Sequence, residues 1–127
     1  MLHKHEDQNT YIRENMRGGE GSIIFEDLLT PEEMYNKGRL YSKLIIKPGA
    51  SVGFHTHEGE MEAYYVIKGA GEFDDNGEKK TLRAGDLLYT PDGESHSVIN
   101  TGGLDSLVGA DLSGIEDLEL LALILYR

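Results

Sequence analysis

A chain of 127 residues, 39% hydrophobic and 28% charged, has the size and balance of one soluble globular domain with a single core. Its formal net charge of −11, with twelve scattered Lys and Arg residues, disfavours nucleic acid and anionic membranes as partners. The absence of cysteine excludes disulfides, thiolate zinc sites, iron–sulfur clusters and cysteine nucleophiles, so any metal must be held by histidine, carboxylate or water.

Residues 1–21 read as a polar N-terminal arm without strand signal, and 22–127 as one domain. The arm lacks the apolar segment of a signal peptide, and no run approaches the roughly 20 apolar residues that cross a bilayer, which predicts a cytoplasmic protein. His3 and His5 have His-x-His spacing but no carboxylate at a matching distance, and are expected to be disordered or to decorate an interface.

Residues 23–29 and 39–47, rich in Ile, Leu and Tyr, read as strands. Between them, Thr30 and Glu33 form a Thr-x-x-Glu capping box with Pro31 at the first helical position and Gly38 as a stop, which predicts one short helix over residues 31–37. Either parity of strand 39–47 could face inward, which leaves Arg39, Tyr41 and Lys43 as alternative substrate-anchoring groups. Residues 62–68 read as a strand, and Asn76-Gly77 marks a hairpin over 71–82. The segments GDLLYTP, SHSVIN, LDSLVGADL and LELLALILYR, bounded by Gly, Pro or Asn, complete nine or ten predicted antiparallel strands. The fold class is therefore all-β, a sandwich or small barrel.

Side chains i and i+2 of a strand share a face, so His55 and His57 can present both imidazoles to one point. Glu62, at the start of the following strand, is placed to add a carboxylate, and a fourth ligand could come from His96. Glu58 and Glu60 fall in the intervening turn, with Glu60 a second-choice carboxylate because it shares the parity of Glu62. Three imidazoles and a carboxylate suit Mn, Fe, Co, Ni, Cu or Zn. Tyr64 and Val66 share the inward face of Glu62, so Tyr64 either lines a pocket or packs in the core. Ala63, Tyr65 and Ile67 face outward, where they suit a dimer interface. Val98 shares the face of His96, and Phe54 flanks the histidine pair at a possible pocket mouth.

From Gly49, five residues lead to His55, one to His57, four to Glu62 and six to Gly69; from Gly85, five lead to Pro91, followed by Gly93, His96 and Asn100. These strings resemble the two sequence motifs of the cupin superfamily, with every specified position filled across residues 49–100. The resemblance implies a double-stranded β-helix, or jelly-roll, barrel of the small RmlC-like type. It also implies one divalent first-row transition metal held by His55, His57, Glu62 and His96, with Gly69, Gly85, Pro91, Gly93 and Asn100 as turn and bend residues. The expected function is a metal-dependent enzyme acting on a small oxygen-rich or carboxylate metabolite, of dioxygenase, decarboxylase or isomerase type. The alternative is a non-catalytic ligand-binding or sensing module built on the same site. A homodimer is expected.

Overall fold

The computed structural model describes residues 1–127. Its strands are β1 (Thr10–Glu14), β2 (Ser22–Leu29), β3 (Gly38–Ile46), β4 (Ser51–Thr56), β5 (Glu60–Lys68), β6 (Ala70–Asp75), β7 (Glu78–Arg83), β8 (Leu87–Thr90), β9 (Ser95–Ile99) and β10 (Leu118–Tyr126). They form two antiparallel sheets, a six-stranded one in the order β1-β2-β3-β10-β5-β8 and a four-stranded one in the order β4-β9-β6-β7. No helix is long and apolar enough to cross a membrane.

The core follows from period-two alternation. In β10, Leu118, Leu120, Ala122 and Ile124 are all buried, and each large aliphatic among them contributes on the order of 2 kcal/mol on leaving water. That strand pairs with β3 on one side and β5 on the other, so its inward row seats the middle of the larger sheet. Phe73, Leu82 and Val98 from the smaller sheet join the same core cluster. The predicted hairpin is present: Asn76 and Gly77 have φ of 52° and 97°, the paired left-handed conformations that match the twist of β6 and β7.

Three expectations are corrected. No α-helix forms over residues 31–37. The capping box does close, with Glu33 N donating to Thr30 Oγ1 at 3.2 Å and Thr30 N donating to Glu33 Oε1 at 3.0 Å. The chain then turns back after about one turn, because Tyr35 and Asn36 both take φ of 56°, which ends right-handed helix. The segment LDSLVGADL is not a strand either; it runs as turns into a short 3-10 turn at Leu112–Gly114, with Val108 fully exposed and no ladder pairing along it. Conversely, the polar arm carries β1, which pairs with β2 from Thr10↔Glu26 to Glu14↔Ser22. An edge strand needs few apolar residues, and here Tyr11 supplies the inward contact by stacking on Phe25 at a centroid distance of 5.1 Å.

Asn100 ties both sheets together. Its buried amide donates to the carbonyls of Ile46 and Glu116, each at 2.9 Å, and its Oδ1 accepts from Gly102 N at 3.1 Å. Asn100→Ala leaves buried backbone groups without partners and is expected to lower stability by about 2–4 kcal/mol. Thermal melting should show a drop on the order of 10 °C; an unchanged melting temperature would contradict this role.

Candidate metal centre and its cavity

Two sheets contribute to one cluster. Strand β4 carries His55, β9 carries His96 directly across from it, and β5 of the other sheet carries Glu62; His57 lies just beyond the end of β4. The β4–β9 register shifts between Val52 and His55, a bulge that lets both side chains face inward although they stand an odd three positions apart. His57 is fixed through its backbone, whose N–H donates to Glu94 O at 3.0 Å and whose carbonyl accepts from Gly93 N at 2.6 Å. Gly93 and Pro91 thus shape the turn that holds a ligand candidate.

The four side chains converge. The three Nε2 atoms lie 3.1–3.2 Å from one another, and Glu62 Oε1 lies 3.0 Å from His57 Nε2 and 3.1 Å from His96 Nε2. His57 and His96 are 1% exposed and Glu62 4%. Every far ring nitrogen has its own partner: His55 Nδ1 meets Gly53 O at 2.7 Å, His57 Nδ1 meets Glu60 Oε1 at 2.8 Å, and His96 Nδ1 meets Thr90 Oγ1 at 2.8 Å. A carbonyl and a carboxylate only accept, so His55 and His57 carry the proton on Nδ1, and Thr90 permits the same tautomer in His96. The Nε2 lone pairs and the Glu62 oxygen then face one another at separations too short to be neutral.

A single proton relieves only one or two of these contacts, whereas a cation at the centre relieves all of them. Donors about 2.1 Å from a metal and at right angles to each other sit about 3.0 Å apart, close to the spacings observed. The donor set therefore fits a divalent first-row transition metal. Burial opposes ionisation of Glu62, but the imidazoles of His57 and His96 beside it, at 3.0 and 3.1 Å, hold its carboxyl at about 2, so it supplies one negative charge. Burial also lowers the pKa of His55, which favours the neutral imidazole a metal requires.

Supporting contacts orient the ligand candidates. Arg39 donates through Nε and Nη2 to the two oxygens of Glu60, both at 2.7 Å, and the bond from His57 makes this an Arg39–Glu60–His57 chain. Glu60 is thus the orienting partner of His57, a role that parity alone did not distinguish from metal ligation. Tyr64 stacks on His96 at 5.3 Å with an interplanar angle of 15°. Its burial, with the neighbouring Glu62 charge, raises its phenol well above the ordinary range, so it remains a neutral hydroxyl.

A cavity of about 460 Å³ opens onto the cluster, lined by His55, His57, Glu62 and Tyr64 together with Arg39, Leu40 and Ile124. Of the other expected pocket residues, Phe54 points outward at 54% exposure and Val98 is sealed in the core; neither lines this space. Arg39 does line it, whereas Lys43 is drawn away to Glu119 at 2.7 Å, and Tyr41 lies outside the lining. Sequence reading missed Tyr11, Arg13 and Arg17, which the arm brings to the cavity wall. The available signal was the Tyr-x-Arg spacing of TYIRE, which puts Tyr11 and Arg13 on one face of a strand.

An all-β barrel of two sheets with three imidazoles and one carboxylate gathered between them defines a class of metal-site proteins. The cupin domain model matches residues 42–108, and the chain belongs to this family. Over 91 residues it is 50% identical to an oxalate-binding protein of Thermotoga maritima, covering 72% of this chain and 75% of the relative. It is also similar to the crystal structure of a predicted oxalate decarboxylase from Thermotoga maritima, at 41% identity and a TM-score of 0.87 over all of both chains. An RmlC-like cupin from Shewanella frigidimarina, 18% identical, shares the fold with a TM-score of 0.64 over 94% of this chain and 86% of that one.

Proposed function

We propose that His55, His57, Glu62 and His96 hold one divalent first-row transition metal and that the protein binds a small carboxylate anion of the oxalate type at that centre. The observation that carries this reading is the convergence of three Nε2 atoms and one carboxylate oxygen, with the outer ring nitrogens already engaged. The 50% identity to an oxalate-binding protein supports the choice of ligand. A bound divalent ion supplies positive charge and Lewis acidity toward carboxylate oxygens. This chain contributes the rest: Arg39 adds positive potential beside the cluster, Tyr64 offers a neutral hydroxyl, and the aliphatic wall of Leu40, Leu44 and Ile124 limits water around the ligand.

Calorimetric titration of oxalate into metal-loaded protein and into chelator-stripped protein tests the reading. Saturable binding of one oxalate per chain is expected only in the loaded form. Equal affinity without metal, or none in either form, would overturn it.

A catalytic reading has one observation in its favour. Decarboxylation of oxalate to formate and carbon dioxide needs a proton at carbon, and Glu14 lines the cavity without serving in the cluster or in an ion pair. Formate released by the loaded protein and suppressed by Glu14→Gln would establish turnover.

A further inference from the structure

The arm that sequence reading left without function carries two guanidinium groups to the cavity. In this acidic chain, seven of the twelve Lys and Arg residues pair with carboxylates. Arg13 and Arg17 have no carboxylate within ion-pair distance, and both line the cavity that opens on the metal cluster. Glu14, the lining carboxylate outside the cluster, accepts instead from Ser22 Oγ at 3.3 Å.

Both side chains are exposed, Arg13 seated by ring contacts and Arg17 placed by its backbone. The Arg13 guanidinium lies 5.5 Å from the centroid of Tyr11 and 5.6 Å from that of Phe25, a cation–π seat that fixes it without neutralising it. Tyr11 is anchored in turn by its hydroxyl, which donates to Asp27 Oδ1 at 3.2 Å. Arg17 and Asn15 both occupy the left-handed region, with φ of 56° and 52°, in the tight turn between β1 and β2. Non-glycine residues rarely adopt that conformation, and it persists only where the surroundings impose it. The surroundings are visible: this turn lies against β4, the strand that carries His55, so closely that a Cβ on Gly53 would collide with the Arg17 carbonyl and one on Gly19 with the Ser51 carbonyl.

The cavity also has more room than oxalate needs. At about 30 Å³ per water, 460 Å³ corresponds to roughly fifteen waters, and a six-atom anion displaces only a few of them. The same wall that carries the cluster and the two free arginines includes Met16, Phe25, Leu44 and Ile124. Such a space combines oxygen-chelating donors, apolar wall and unpaired cations in one cavity.

We propose that Arg13 and Arg17 form a second anion-binding pole, and that the site selects dianions in which an α-oxygenated carboxylate is joined by a short carbon chain to another carboxylate. This rests on the metal-held carboxylate reading above. A carboxylate clasped by guanidinium gains charge-assisted hydrogen bonds that a methyl group at the same place cannot make.

The test uses matched pairs of probes in calorimetry with the metal-loaded full chain: 2-oxoglutarate against 2-oxopentanoate, and 2-oxoadipate against 2-oxohexanoate. Members of each pair share the chelating end and differ only in the distal carboxylate. The wild type is expected to favour at least one dianion over its partner by about tenfold or more. In Arg13→Gln/Arg17→Gln that ratio should fall toward one, while Arg13→Lys/Arg17→Lys should retain part of it. Melting temperature and metal content of each variant separate loss of fold from loss of the pole. Equal affinities within both pairs for the wild type, or a ratio that survives the double glutamine substitution in a folded, metal-loaded protein, would overturn the proposal. If no carboxylate binds the loaded wild type, the metal-held reading itself fails and this inference with it.

Discussion

His57→Ala is expected to weaken binding of a divalent transition metal by more than about 100-fold, a larger loss than removal of an outer contact produces. The side chain is 1% exposed, its Nε2 lies within 3.2 Å of His55 Nε2, His96 Nε2 and Glu62 Oε1, and no further histidine or carboxylate joins the cluster to replace it. Removing a buried ring also destabilises the fold, so the measurement must separate the two effects. Melting the wild type and the variant with and without saturating metal does so. An ion present at about a thousand times its dissociation constant stabilises the native state by about 4 kcal/mol, and this increment vanishes when affinity collapses. A variant that melts low but shows the full metal-dependent rise would contradict the assignment of His57.

The second large effect concerns a residue that touches no ion. Glu60→Ala removes the acceptor of the His57 Nδ1 proton and releases Arg39 from its two-point grip. His57 is then free to take the other tautomer or to rotate, and metal affinity should fall by about 10–100-fold. Glu60→Gln keeps an oxygen in place for His57 and is expected to recover part of that loss. If Glu60 were itself a metal ligand, Gln and Ala would be similarly damaging, so the pair of substitutions distinguishes orientation from coordination. Isothermal titration of the stripped variants with Co(II) gives both affinities.

Much of this site was legible in the sequence, because its residues sit on strands with strict alternation. His55, His57 and Glu62 follow from parity across one turn, and His96 follows from the second motif, so the structure could only confirm or break their meeting. Tyr64 likewise faces inward as alternation requires. Phe54 and Val98 were misplaced as pocket residues for opposite reasons: the bulge in β4 turns both histidines inward and leaves Phe54 outside, whereas Val98 faces inward too deep in the core to reach the cavity.

The features that escaped depend on contacts distant in sequence. TYIRE is polar because β1 is an edge strand that only half-buries one side chain, Tyr11, and its pairing is set by β2 rather than by its own composition. The capping box of Thr30 and Glu33 is a local signal that did form its hydrogen bonds, but the left-handed Tyr35 and Asn36 cut the helix to a single turn. The free charges of Arg13 and Arg17 become visible only in the fold, where no carboxylate comes within ion-pair distance of either.

The most direct test of the central claim is the visible absorption of the Co(II)-substituted protein during titration with oxalate. The d–d bands report the ligands of the metal itself, so an anion bound at the His55–His57–Glu62–His96 centre must change them. The account predicts a Co(II) spectrum that His57→Ala abolishes and that shifts to saturation at one oxalate per chain. Cobalt bound at full stoichiometry in that variant, or a spectrum indifferent to oxalate while calorimetry records its binding, would contradict it.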